Sequence, residues 1–172
     1  MTGKPQSSEA APYYFTYIDK VAGDDVVRVL VEQLDEMLAW CTSISEEGSL
    51  YRYGEGKWSI REVLSHINDG ERLFAFRAFW FARGLGLELP SFDQNVAASN
   101  VQADRISWAA HVEDFRRVRL ASISLFENLQ EEDWGRGGLA SGNYFSVRAL
   151  AFIAAGHLVH HRGLLAERYA VG

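Results

Sequence analysis

SIREVLSHINDGERLFAFRAFWFARG, residues 59–84, carries Ile60, Val63, Leu64, Ile67, Phe74, Ala78 and Phe81 at helical spacing, all on one stripe. Ser59 with Glu62 three positions later forms an S-x-x-E capping box, so the helix starts there, and Arg83–Gly84 end it. Three further segments show the same period. One opens near Asp24 as N-cap and uses Val26, Val27, Leu30, Val31, Leu34, Met37, Leu38 and Cys41. Another starts at about Ser107 and uses Trp108, Val112, Phe115, Val118, Leu125 and Leu129. The last runs from Ser146, a fair N-cap, to about Tyr169. Four amphipathic helices of roughly 20–25 residues, with no convincing alternating strand and no internal repeat, predict an all-α four-helix bundle. The 84–106 connection between the second and third helices is long enough to cross the bundle, so a simple up-down-up-down order does not follow. Residues 1–12, MTGKPQSSEAAP, are small and polar and predict a disordered tail, leaving 13–172 as the domain. The aromatic lead-in YYFTYIDKVAGDD then packs on the body before the first long helix.

A chain of 172 residues, 48% apolar and 23% charged, suits one soluble domain that needs no disulfide or metal to fold. The net charge is −6, and the three lysines (Lys4, Lys20 and Lys57) and the arginines form no basic run. That balance argues against a nucleic-acid partner, since phosphate binding needs a cationic surface. Cys41 is the lone cysteine, which excludes an intrachain disulfide and points to a reducing, cytoplasmic compartment. No stretch approaches about 18 uninterrupted apolar residues, and the first residues lack an apolar signal region, so a membrane partner is not expected. No G-x-S-x-G, P-loop or dinucleotide-binding glycine pattern occurs.

The histidines carry the chemistry. On the last helix the apolar stripe runs Val147, Leu150, Ala151, Ala154, Leu158 and Leu165. At about 100° per residue, His157 and His161 point toward the core and His160 points outward. Two imidazoles at i and i+4 can share one ion, as in helical zinc sites. The alternative is a pair of neutral core histidines, each bonded to a nearby carbonyl. Gly156 beside them either permits close helix approach or is merely small. His66 flanks the 59–84 stripe, and Gly70 one turn later leaves space beside it. Alone, His66 reads equally as a boundary residue held by Asp69 or Glu62. Together His66, His157 and His161 form a three-ligand site with an open position, suited to Zn²⁺, Ni²⁺ or Fe²⁺. His111 is an outside candidate, and Asp69 and Glu71 read as supporting or surface groups. Arg116, Arg117 and Arg119 read as a solvated helix face, and Cys41 as a buried inert thiol. Trp58, Phe74, Phe76, Phe79, Trp80 and Phe81 read as core plus some interface.

The K-W-S-x-x-E-x-x-x-H run at 57–66 and the G-H-x-x-H-H run at 156–161 bring a family into view. With their surroundings, 57–84 and 156–169, they resemble the DinB/YfiT-like four-helix bundle proteins. This is the damage-inducible family, distinct from the polymerase that shares the name. The resemblance extends from about Tyr13 to Tyr169. It implies a divalent metal held by one histidine of the second helix and two of the last, here His66, His157 and His161. It implies a metal-dependent enzyme acting on a small-molecule substrate. That enzyme is either an S-transferase or isomerase using a low-molecular-weight thiol such as bacillithiol or mycothiol, or a hydrolase. It further implies a homodimer, for which the aromatic and Leu-rich segment 73–92 is the candidate surface. Leu158 departs from the pattern, because relatives are often acidic there. Two other expectations compete: a non-enzymatic metal-binding or stress-associated dimeric bundle, and a structural dimer whose histidines are satisfied by hydrogen bonds.

Overall fold

Ser59 caps its helix as the sequence predicts. Its side chain accepts from the Glu62 N–H, and the Glu62 carboxylate accepts from the Ser59 N–H at 2.7 Å. A computed structural model describes residues 2–169, and within them the chain forms six α-helices and one two-stranded sheet. The helices are α1 (Phe15–Ile18), α2 (Val26–Cys41), α3 (Ile60–Ala82), α4 (Gln94–Val101), α5 (Trp108–Glu127) and α6 (Val147–Tyr169). The strands are β1 (Gly137–Ala140) and β2 (Asn143–Ser146). The other long helices also begin at side-chain caps. Asp25, one residue past the expected Asp24, caps α2; Ser107 caps α5, and Ser146 accepts from the Ala149 N–H at 2.9 Å. No helix of the described residues is long and apolar enough to cross a membrane.

The long helices form a four-helix bundle, but their neighbours are not sequential. α3 packs on α5 and α6, and α2 packs on the same two helices. Thus α2 and α3 face each other across one diagonal, and α5 and α6 across the other. The segments that cross the bundle are therefore 42–59 and 128–146. The 84–106 connection, which length singles out in the sequence, joins adjacent helices instead. It is not structureless: it holds α4 and a 3₁₀ turn at Ala103–Arg105. α6 is the central element, buried on all sides from Ala149 to Leu158 because α1, α2 and α3 all pack against it.

Three local expectations are corrected. A disordered tail over 1–12 is not what residues 2–12 show; Met1 and the end of the expected domain, 170–172, lie outside the described residues. Pro5 and Ala10 are buried, Ala10 bridges Phe145, and the Glu9 carbonyl accepts from the Ser146 N–H at 2.9 Å. Backbone pairing with β2 holds this segment, so its small polar side chains do not free it. The hairpin itself is the second correction. Ser141 and Gly142 both take positive φ, 55° and 72°, the twist that a two-residue hairpin loop requires. Its strand was hidden because Gly137 and Gly138 have low β-propensity, yet a Cβ on Gly138 would strike the Phe81 ring.

The third correction is Arg119, expected on a solvated face and found fully buried. Its Nη2 donates to Glu71 at 2.9 Å and its Nη1 to Gln33 at 2.8 Å. Nε stands 2.8 Å from Glu71 Oε1 as an ion pair off the line of a hydrogen bond. Gln33 in turn donates to the Ala155 carbonyl at 3.1 Å. One buried polar cluster thus ties α5, α3, α2 and α6 together.

Candidate metal centre

His66 stands on α3, two turns past the Ser59 cap, and His157 and His161 stand one turn apart on α6. Because α3 and α6 pack side by side, the three rings converge. His157 Nε2 lies 3.1 Å from His66 Nε2 and 3.1 Å from His161 Nε2, and one ring nitrogen of each lies within 4.8 Å of the others. His66 and His157 are buried and His161 is half-buried. Two glycines make room. A Cβ on Gly70 would stand 2.7 Å from His157 Cε1, and one on Gly156 would strike the Tyr17 carbonyl of α1. Gly156 is therefore required for close approach, one of the two roles open to it in the sequence.

The surroundings keep the rings neutral. Burial pushes His66 down to about 4 and His161 down to about 3, with smaller like-charge contributions, and it lowers His157 well below the ordinary histidine value. A neutral Nε2 carries either one proton or one lone pair in the ring plane. His157 Nε2 therefore cannot serve both neighbours, and at least one of the 3.1 Å contacts is not a well-formed hydrogen bond. The same spacing suits ligands. Nitrogens bound at about 2.0–2.1 Å to one ion stand roughly 2.9–3.4 Å apart at octahedral to tetrahedral angles. The residues present fit a divalent cation.

The other sequence candidates are not part of the three-histidine cluster, although Glu62 and Asp69 border His66 across a small cavity. His111 is buried but bonds the Ala103 carbonyl at 2.9 Å. Glu62 is committed to the Ser59 cap and to Arg52 at 2.9 Å, and Asp69 pairs with Arg72 at 3.5 Å. Leu158 is buried in the core. Cys41 is buried as expected, and burial pushes its thiol up to about 12. Residues read as packing or lead-in turn out to frame the centre. The Trp58 ring stands 5.1 Å from the His66 ring, and Tyr17 and Phe74 stand edge-on to His157 at 5.5 and 5.6 Å. Trp58 sits just before a helix cap in the K-W-S run, and that position was the available signal.

Among the described residues three cavities touch the triad; the one beside His66, Glu62 and Asp69 is only about 10 Å³, and the two larger ones approach from different sides. One, of about 310 Å³, touches His161 and is lined by Tyr53, Lys57, Trp58, Arg168 and Tyr169. The other, of about 140 Å³, touches His66 and His157 and reaches Arg77. Gln94, the first residue of α4, borders all three.

Comparison with known proteins agrees with this architecture. The family model described as the DinB superfamily matches residues 30–165. Among solved structures the chain is similar to YfiT from Bacillus subtilis, at 16% identity and a TM-score of 0.70, over 98% of this chain and 94% of that one. That protein is described as "a probable metal-dependent hydrolase with an unusual four-helix bundle topology". No curated protein matches the sequence.

Proposed function

The chain belongs to the DinB superfamily, and from that premise we propose that it is a divalent-metal enzyme. His66, His157 and His161 hold the ion, and a small nucleophile, water or a low-molecular-weight thiol, is activated beside them. One observation carries this reading: the three converging ring nitrogens cannot satisfy one another. When bound, Zn²⁺, Ni²⁺ or Fe²⁺ supplies a Lewis acid that lowers the pKa of water or of a thiol. The chain does the rest. Burial keeps the imidazoles neutral, so their lone pairs stay available at neutral pH. Trp58, Tyr17 and Phe74 pack against the rings, limit their rotation and exclude water from those faces. Gly70 leaves the space that His157 fills.

The two larger cavities favour the thiol version of the reaction. Thiol transfer brings two organic molecules to one centre, whereas hydrolysis brings one. The sulfur must then come from outside the chain, since Cys41 is buried and its thiol is held protonated.

Metal analysis tests the reading. Protein purified without a polyhistidine tag, stripped by chelation and reloaded should bind about one equivalent per chain, and His66→Ala and His161→Ala should lose it. Failure of the wild-type chain to take up stoichiometric metal overturns the proposal. With metal bound, thiol consumption against a panel of electrophiles reads out a transferase, and acid release from esters and amides reads out a hydrolase. Turnover of neither class leaves a metal-binding bundle without enzyme activity. We also place a homodimer contact on the exposed Phe76, Phe79 and Leu87 of the 73–92 segment. A monomer in sedimentation equilibrium overturns that assignment.

A further inference from the structure

Three arginines are deeply buried, and two of them show how this fold accommodates a guanidinium. Arg61, 4% exposed, donates to Ser49, to the carbonyls of Glu46, Asp104 and Ile106, and to the Glu46 carboxylate. Arg119 meets Glu71 and Gln33. Arg77, 3% exposed, is treated differently. Its Nη2 donates to the Pro90 carbonyl at 3.1 Å and to Ser141 Oγ at 2.9 Å. Its Nε, like that of Arg119, is buried without a hydrogen-bond partner, but where Arg119 Nε faces the Glu71 carboxylate, among the described residues no carboxylate pairs with Arg77. Two of five N–H groups are thus used, on a side chain that stays charged in proteins. Tyr14 is close enough to interact with the guanidinium, but a neutral phenol supplies no counter-charge.

Arg77 also lines the cavity of about 140 Å³ that touches His66 and His157. Tyr17 and Phe74 form its walls, and the exposed Tyr13 and Phe92 mark its mouth. A void of this order takes up a benzene-sized molecule. A carboxylate matches the guanidinium fork and replaces the missing counter-charge. We propose that this cavity binds a small organic carboxylate, with the acid group on Arg77 and an apolar body between Tyr17 and Phe74. The far end of the ligand is directed at the three histidines. The anion site stands by itself; only the direction of the ligand toward a reacting centre rests on the metal reading above.

Calorimetric titration of the full chain, metal-loaded and metal-stripped, tests this with isobutyrate, benzoate and phenylacetate, each compared with its own amide. At least one acid should outbind its amide by about tenfold or more in both forms. The preference should fall to about unity in Arg77→Met and persist in part in Arg77→Lys. A wild-type chain that favours no acid over its amide overturns the proposal, and that comparison needs no variant to fold. A preference that survives Arg77→Met overturns it as well. If such a surviving preference also requires metal, the carboxylate sits on the ion, and the metal reading stands while the anion site falls. An Arg77-dependent preference in a chain that takes up no metal upholds the anion site and removes the metal reading.

Discussion

The same helices carry two buried polar clusters built in opposite ways. Around Arg119, the guanidinium meets Glu71, Gln33 accepts from it, and the Gln33 amide passes on to the Ala155 carbonyl. Two residues further along α6, His157 stands between His66 and His161 with one nitrogen for two neighbours. The first cluster balances its charge within the protein, the Arg119 Nε and Glu71 Oε1 that make no hydrogen bond facing each other as an ion pair. The second finds no such match, and the Arg77 cavity beside it repeats the pattern with an unmatched charge. Buried polar groups are costly unless satisfied. A cluster that closes internally specifies how helices meet, and one that stays open is shaped for something from outside the chain.

The comparison is easiest to break at its closed end. Glu71→Ala leaves Arg119 charged and unpaired in the core, and should cost about 3–5 kcal/mol in urea unfolding. The double replacement Arg119→Met with Glu71→Leu should recover most of that loss. A Glu71→Ala protein within about 1 kcal/mol of wild type would show that the cluster does not hold the helices. At the open end, His161→Ala should lower metal affinity by about 100-fold or more while leaving the metal-stripped protein within roughly 1 kcal/mol of its original stability. Equal metal affinity in the variant breaks the contrast from the other side.

Acid sharpens it. The buried histidines have depressed values, so the unfolded chain takes up their protons first, from about pH 6.5. Their contribution to stability is full above that value and is lost as pH falls toward about 4 for His66 and about 3 for His161. In this window metal-stripped protein should lose roughly 1.4 kcal/mol per pH unit for each histidine. His66→Phe should flatten the slope; identical slopes would show that His66 is not held neutral by burial. The smallest effect is expected at Arg77→Met, which removes an unpaired charge without opening a void and should change stability by no more than about 1 kcal/mol. A large loss in that variant would move Arg77 into the closed class.

How much of this was legible depended on whether a local pattern carried it. The Ser59–Glu62 cap and the i,i+4 spacing of His157 and His161 are local, and both appear where the sequence placed them. Arg119 was misread because the buried face of α5 is itself partly polar. It runs Trp108, His111, Phe115, Arg119, Ser122, Ile123 and Phe126, rotated from the apolar stripe through Val112 and Val118. Reading position 119 in phase with Phe115 and Phe126 would have exposed it. The packed segment 2–12, the hairpin and the cavity walls depend on partners distant in the chain, such as Phe145 for Ala10 and Phe81 for Gly138. No local period reports such contacts.

The contact of Gly156 with the Tyr17 carbonyl has a consequence for the order of folding. It joins α1 to α6 across most of the chain, and contacts of such sequence separation carry a large loop-closure cost. The cavity that reaches Arg77 has Tyr13, Tyr14 and Tyr17 on one side and the α6 histidine on the other. It therefore comes into being only when the first helix docks on the last. An intermediate with a formed bundle and an undocked α1 would have His66 and His157 open to bulk water. Uptake of a cavity-sized ligand during refolding would then time that docking step directly.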